Sequence, residues 1–209
     1  DQMRSQKRRD RRREDEVAFH AKRVIDALHD LSLRQPYDRL IVGGTPKATG
    51  QLVRLLPKRM RGKLVDTVSM RVGGSEKEIL NKILAVQMRM ERDRETVLVD
   101  GVLAELHDRG KAVAGFASVL DAVNQGRVWT LLYGKGFTAK GGECGSCNAY
   151  SPHAKGPCVY CGEDVHPLPQ CVDRLSQSVL EMGGKIEVVD GDAMKKLAKP
   201  GGIAALLRY

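Results

Sequence analysis

Aromatic side chains are scarce in this chain: one Trp, five Tyr and three Phe among 209 residues. That scarcity argues against a recognition surface built on stacked bases, as in the common single-strand RNA binders. Long apolar runs are missing too. No stretch approaches the roughly 18–20 apolar residues that cross a bilayer. The start, DQMRSQKRRDRRR, is basic and polar, so neither a signal peptide nor a membrane anchor is expected, and a cytoplasmic location is. No Ser/His/Asp set, no HExxH and no paired-carboxylate pattern stands out, so no catalytic residue and no small-molecule substrate are assigned. His20 reads as solvent-facing or packed beside the first helix's apolar stripe. Gly43-Gly44-Thr45-Pro46-Lys47 lacks both the GxxxxGK[ST] and the GxGxxG spacing. It reads as a strand-to-helix turn, with an anion site at the helix start as the lesser alternative.

What is present is an ordinary globular composition, 42% hydrophobic and 29% charged, long enough for one full α/β domain or two small ones. The net charge of +9 is polarised. Residues 1–71 hold 18 basic and 9 acidic side chains, and residues 72–209 hold 17 of each. The whole excess lies in the first third, which points a polyanion at one end of the molecule. The chain begins at Asp1 rather than Met, which leaves a fragment and a processed product both open.

Periodicity reads as alternating strands and helices. Val17, Ala21, Val24, Leu28 and Leu31 form one helical stripe that starts from Glu14, with Glu14, Asp15 and Glu16 in an early turn. Residues 39–42 form a strand; Leu52, Leu55, Leu56 and Met60 mark one short helix; Leu64, Val65 and Val68 mark the next strand. A helical region carries Ile79, Ile83, Val86 and Met90, and a second cycle opens with a helix over 97–106. Strands at 112–115, 128–133, 186–189 and 203–207 alternate with helices at 119–124, 172–182 and 194–197, while 134–171 is rich in Gly, Pro and Cys. The fold class is therefore α/β, with sheets covered by helices.

Four of the five cysteines form Cys144-Gly-Ser-Cys147 and Cys158-Val-Tyr-Cys161, ten residues apart. Paired CxxC turns on a Gly-rich insert favour a structural Zn²⁺ held by four thiolates. Free or disulfide-linked cysteines are the alternative, and an iron–sulfur cluster is a third. His153 and His166 flank the cluster and are substitute ligands. Cys171 reads as a small buried residue.

Arg8, Arg9, Arg11, Arg12 and Arg13 fall within six positions, and Lys58, Arg59, Arg61 and Lys63 form a second basic set. A solvated tail is one reading of the first run. Two such clusters in one small domain fit phosphate-backbone contact, which is salt-dependent and blind to base sequence.

The closing stretch Gly201 to Tyr209 (GGIAALLRY) resembles the last strand of the archaeal and eukaryotic class I release factors and Pelota. Gly184 to Val189 (GKIEVV) is similar to the strand before it, and 117–132 (ASVLDAVNQGRVWTLL) to that family's helix, glycine turn and strand. The CxxC insert follows where archaeal members carry a zinc minidomain. Leu40-Ile41-Val42-Gly43-Gly44, Leu56-Pro57 and Lys63-Leu64-Val65 look like the middle domain, and the Arg-rich start looks like its basic helix.

The resemblance implies a middle domain over residues 1–88. It implies an α/β/α domain like that of kink-turn-binding ribosomal proteins over 89–209, with the zinc minidomain at 137–171. It implies two domains of a three-domain factor, with the nine basic residues meeting ribosomal RNA or tRNA in the A site. The neutral domain would dock a translational GTPase such as elongation factor Tu or its archaeal counterpart. Termination in this family uses a Gly-Gly-Gln loop before the basic helix, and this chain has none; Thr49-Gly50-Gln51 is nearest but misplaced. Pelota, which rescues stalled ribosomes, and the hibernation factor Balon also lack it. The expectation is a ribosome-binding rescue or hibernation factor that hydrolyses nothing itself. The alternatives are a peptidyl-tRNA hydrolase whose loop lies upstream of Asp1 and a free RNA-binding regulator.

Overall fold

The computed structural model describes the backbone of residues 2–71, 73–108 and 110–209, and the side chains of residues 6, 15–71, 73–106 and 110–209. The architecture is mixed α/β, as the alternation of periods requires. Its contacts separate into two compact units, Asp1–Met88 and Arg89–Tyr209.

In the first unit, helix α1 spans Gln2–Arg34 and carries no acidic residue in its first turn. It begins about a dozen residues before the expected start. Arg, Lys and Gln are good helix formers, and residues 14–16 sit inside the helix rather than in its first turn. The stripe is partly covered: Ala21 is 6% exposed, but Leu31 is 46% exposed. Strand β1 (Leu40–Gly44) pairs in parallel with β2 (Leu64–Ser69). Between them the expected single helix is two, α2 (Pro46–Leu55) and α3 (Lys58–Arg61). Pro57 divides them, because its ring clashes with the preceding turn and it has no N–H to donate. Leu56 and Met60 still bury against the unit, at 3% and 7% exposure.

Helix α4 runs unbroken over Glu76–Asp108, joining the two helical segments read from sequence. No Gly or Pro interrupts 89–96, and Arg94 pairs with Glu91 at 2.9 Å one turn away. The boundary between the units falls inside this helix.

The second unit is built on a four-stranded sheet ordered β3 (Ala112–Ala114), β10 (Ile203–Leu207), β4 (Val128–Gly134), β9 (Lys185–Val189). The β10 strand is antiparallel to both neighbours, and β4 and β9 are parallel. Alternate residues of β10 face opposite layers. Ile203, Ala205 and Leu207 pack with Leu120 and Val123 of α5 (Phe116–Asn124) and Leu175 and Val179 of α6 (Cys171–Glu181). Ala204 packs with Val99 and Val102 of α4 and Leu197 of α7 (Gly191–Ala198). The result is an α/β/α sandwich with β10 at its centre. Gly202, at φ 77°, turns the chain into β10 in a conformation that favours glycine, and a Cβ there would meet the Phe137 ring at 3.0 Å.

Sequence reading left 134–171 without structure. It holds a second sheet ordered β6 (Tyr150–Ser151), β5 (Gly141–Cys144), β8 (Asp164–Leu168), β7 (Gly156–Pro157), all antiparallel. These strands are too short and too rich in glycine and proline to show alternation. Gly142 is compulsory there, since a Cβ would lie 2.3 Å from Val165 and 2.7 Å from the His153 carbonyl.

Leu131 and Leu175 have no exposed surface. Truncating either to Ala should lower the unfolding free energy of the second unit by about 2–5 kcal/mol. Urea titration followed by Trp129 fluorescence reads this directly, and a change near zero would show that the sandwich core is placed wrongly.

Candidate metal centre and basic surface

Cys144 closes β5 and Cys147 follows in the turn; Cys158 follows β7 and Cys161 lies in the next turn, ahead of β8. The two CxxC turns bring four thiols together, with all four Sγ atoms within 4.8 Å of one another. Cys144 and Cys161 are 3.4 Å apart and Cys147 and Cys158 3.6 Å, none of them bonded as a disulfide. A tetrahedral site with metal–sulfur distances of about 2.3 Å has edges of about 3.8 Å, inside the range found. The donor set therefore fits a four-thiolate metal ion, and no position is left open for substrate.

The local backbone prepares the site for negative sulfur. The amides of Cys147 and Ser146 pull the Cys144 thiol down to about 6, and those of Tyr160 and Cys161 lower Cys158. Cys161 moves the other way, to about 12: the Glu163 amide lowers it, but the neighbouring Cys144 and Cys147 thiols outweigh that. Four thiolates repel unless a cation lies among them. His153 and His166, weighed above as substitutes, are not members of the cluster among the described residues. Cys171 is buried in the α5/α6 core, where desolvation first and Glu143 second push its thiol up to about 11.

The insert buries only Cys144, Cys158 and Val165 as its own core, with Ala149 against them. It is fastened to the sandwich by contacts that sequence reading missed. Asn124 at the end of α5 donates to the Tyr150 carbonyl at 2.9 Å and accepts from the Tyr150 amide at 2.8 Å. The Tyr150 hydroxyl meets Ser178 at 2.6 Å, and the Tyr160 hydroxyl donates to Asp121 at 2.6 Å. Pairings across 26 and more positions leave no local pattern to read.

The side chains of Arg8, Arg9, Arg11, Arg12 and Arg13 lie outside the described residues. The second basic set divides in two. Arg61 donates to the Arg54 carbonyl at 2.7 Å and to the Leu56 carbonyl at 3.3 Å. Lys63 donates to the Tyr37 carbonyl, with its ammonium 4.8 Å from the centre of the Tyr37 ring. These two cations tie α2, α3 and the loop before β1 together. Lys58 and Arg59 are exposed on α3 and make no ion pair among the described residues. Thr49-Gly50-Gln51 lies within α2, and Thr49 is buried with its hydroxyl donating to the Thr45 and Pro46 carbonyls. Thr45 caps α2 by accepting from the Ala48 amide, which supports the turn reading of Gly43 to Lys47.

Residues 1–88 match the family described as Bacterial archaeo-eukaryotic release factor family 10. The Pelota homologue of Methanosarcina mazei is 33% identical over 118 residues, 56% of this chain and 27% of that protein. The chain thus resembles release-factor and Pelota proteins, through a family match over residues 1–88 and a Pelota match over 118 residues. Among solved structures, the fold is similar to a ribosome-bound archaeal Pelota with ABCE1 (20% identity, TM-score 0.54, 91% of this chain and 48% of that one). It is also similar to Saccharomyces cerevisiae Dom34, described as a translation termination-like factor interacting with Hbs1 (16% identity, TM-score 0.52, 88% and 51%). The chain spans about a quarter of the length of the curated relatives it matches.

Replacing Lys63 or Arg61 with Ala should lower the melting temperature, because each change leaves backbone carbonyls without a donor. Replacing Lys58 and Arg59 together should leave it within a degree or two. Differential scanning fluorimetry of the variants checks the division; equal effects would refute it.

Proposed function

We propose that the chain is the ribosome-binding part of a release-factor-like translation factor acting in rescue or hibernation. Its first unit would contact ribosomal RNA or tRNA in the A site, and its second would dock a translational GTPase. The observation that carries the reading is the charge partition, taken with the release-factor family match over residues 1–88 and the likeness to Pelota over 118 residues. The excess of +9 lies wholly in residues 1–71, and the remaining residues are neutral. Phosphate contact needs the first property, and a protein interface tolerates the second. On this reading the units divide as 1–88 and 89–209, with the cysteine minidomain inserted at 137–171. Among relatives, Dom34 is described as interacting with Hbs1, which supports a GTPase-type partner.

Cys144, Cys147, Cys158 and Cys161 would hold a structural Zn²⁺. The metal supplies folding free energy to an insert with almost no apolar core, and a closed four-thiolate site supplies no catalysis. Lys58 and Arg59, together with Arg8, Arg9, Arg11, Arg12 and Arg13, would meet phosphates, with Arg61 and Lys63 holding the surface in shape and adding charge. No residue of the chain is assigned to ester hydrolysis.

Sedimentation of the protein with ribosomes through a sucrose cushion tests the reading. Co-migration at low salt is expected, weakened strongly by Arg11, Arg12 and Arg13 changed together to Glu, with folding intact by circular dichroism. Absence of co-migration at low salt would contradict it. Elemental analysis should find about one Zn²⁺ per chain, and folded protein free of metal would refute the zinc assignment.

A further inference from the structure

The single Trp of the chain does not sit in the core. At the start of β4, Thr130 pairs with Leu206 but Val128 pairs with Leu207, so Trp129 is the extra residue of a bulge. Bulges re-aim side chains and gather at functional edges. Here the bulge turns Val128 fully inward and leaves Trp129 42% exposed.

Two cations stand over that indole. The Arg208 guanidinium lies 5.3 Å from the centre of the ring and the Lys185 ammonium 5.5 Å. Arg208 is held in place: its side chain donates to the Met182 carbonyl at 2.5 Å, and its amide donates to the Arg127 carbonyl at 2.8 Å. Arg127 in turn lies 5.9 Å from the Tyr209 ring. Three of the four cation–aromatic contacts among the described residues therefore gather at one corner of the sheet. Arg127, Lys185 and Arg208 make no ion pair among the described residues. A guanidinium laid on an indole is a platform on which a nucleobase stacks, and cations without an acidic partner beside it suit the flanking phosphates. An acidic peptide would engage the cations and leave the indole idle.

We infer that the Trp129–Arg208–Lys185 corner is a binding site for an unpaired nucleotide of single-stranded RNA. It is a second RNA contact, in the half of the chain whose net charge is zero. The inference goes beyond the reading above, which gives RNA contact to the first unit alone.

The lone Trp is its own probe. A single-stranded oligoadenylate of roughly 12 nucleotides should quench Trp129 fluorescence in the full 209-residue chain, and added salt should reverse the quenching. The Lys185→Glu/Arg208→Glu double variant should bind at least about tenfold more weakly by the same signal, and Lys185→Gln/Arg208→Gln serves if charge reversal unfolds the protein. The Arg11→Glu/Arg12→Glu/Arg13→Glu variant should keep the quenching, which separates this site from the ribosome-binding surface. No quenching by oligoadenylate, equal quenching by polyglutamate, or quenching unchanged in both double variants would each overturn the inference.

Discussion

Four sulfur atoms within 4.8 Å of one another set a condition that the surrounding chain must meet. The neighbouring Cys144 and Cys147 thiols push the Cys161 thiol up to about 12. Backbone amides push Cys144 and Cys158 toward the thiolate. A cation resolves the conflict, and on the proposed reading Zn²⁺ does so. The insert then needs little apolar core, because coordination replaces it. Tyr150, tied to Asn124 and Ser178, carries that order into the layer of α5 and α6. The same layer packs on β10, so side-chain contacts connect the cysteine insert to the sandwich.

Charge is the second organising property. The chain concentrates its excess before residue 72, and within that part the cations do two kinds of work. Arg61 and Lys63 satisfy carbonyls, while Lys58 and Arg59 face water. A net charge of zero over the rest conceals local structure. Acidic groups there are engaged in pairs such as Glu187 with Arg94 and Asp100 with Lys196, which leaves the cations around Trp129 uncompensated. Net charge therefore describes long-range attraction, and the distribution of partners describes the sites.

Much of the fold was legible. Strands such as Ile203 to Leu207 and helices such as 172–182 stood out because each has its own hydrophobic period. The clustering of the four cysteines was legible because their CxxC spacing is local. What failed to show has physical reasons. The basic run at 8–13 looked unstructured, although its residues have good helix propensity, and α4 looked like two helices because its apolar pattern changes where the unit boundary falls. The sheet of the insert gave no signal, since strands of two to five residues do not alternate long enough to be seen. Asn124 and Trp129 acquire their roles only through partners distant in sequence or through a register shift. The scarcity of aromatics argued against base stacking, yet the one Trp is placed where stacking is available.

The central claim is that the first unit meets ribosomal RNA. Placing a photoreactive residue at position 58 and irradiating the protein on ribosomes tests it most directly. The account predicts crosslinks from position 58 to ribosomal RNA or tRNA, lost in high salt. Crosslinks only to proteins, or none on ribosome-bound protein, would contradict it.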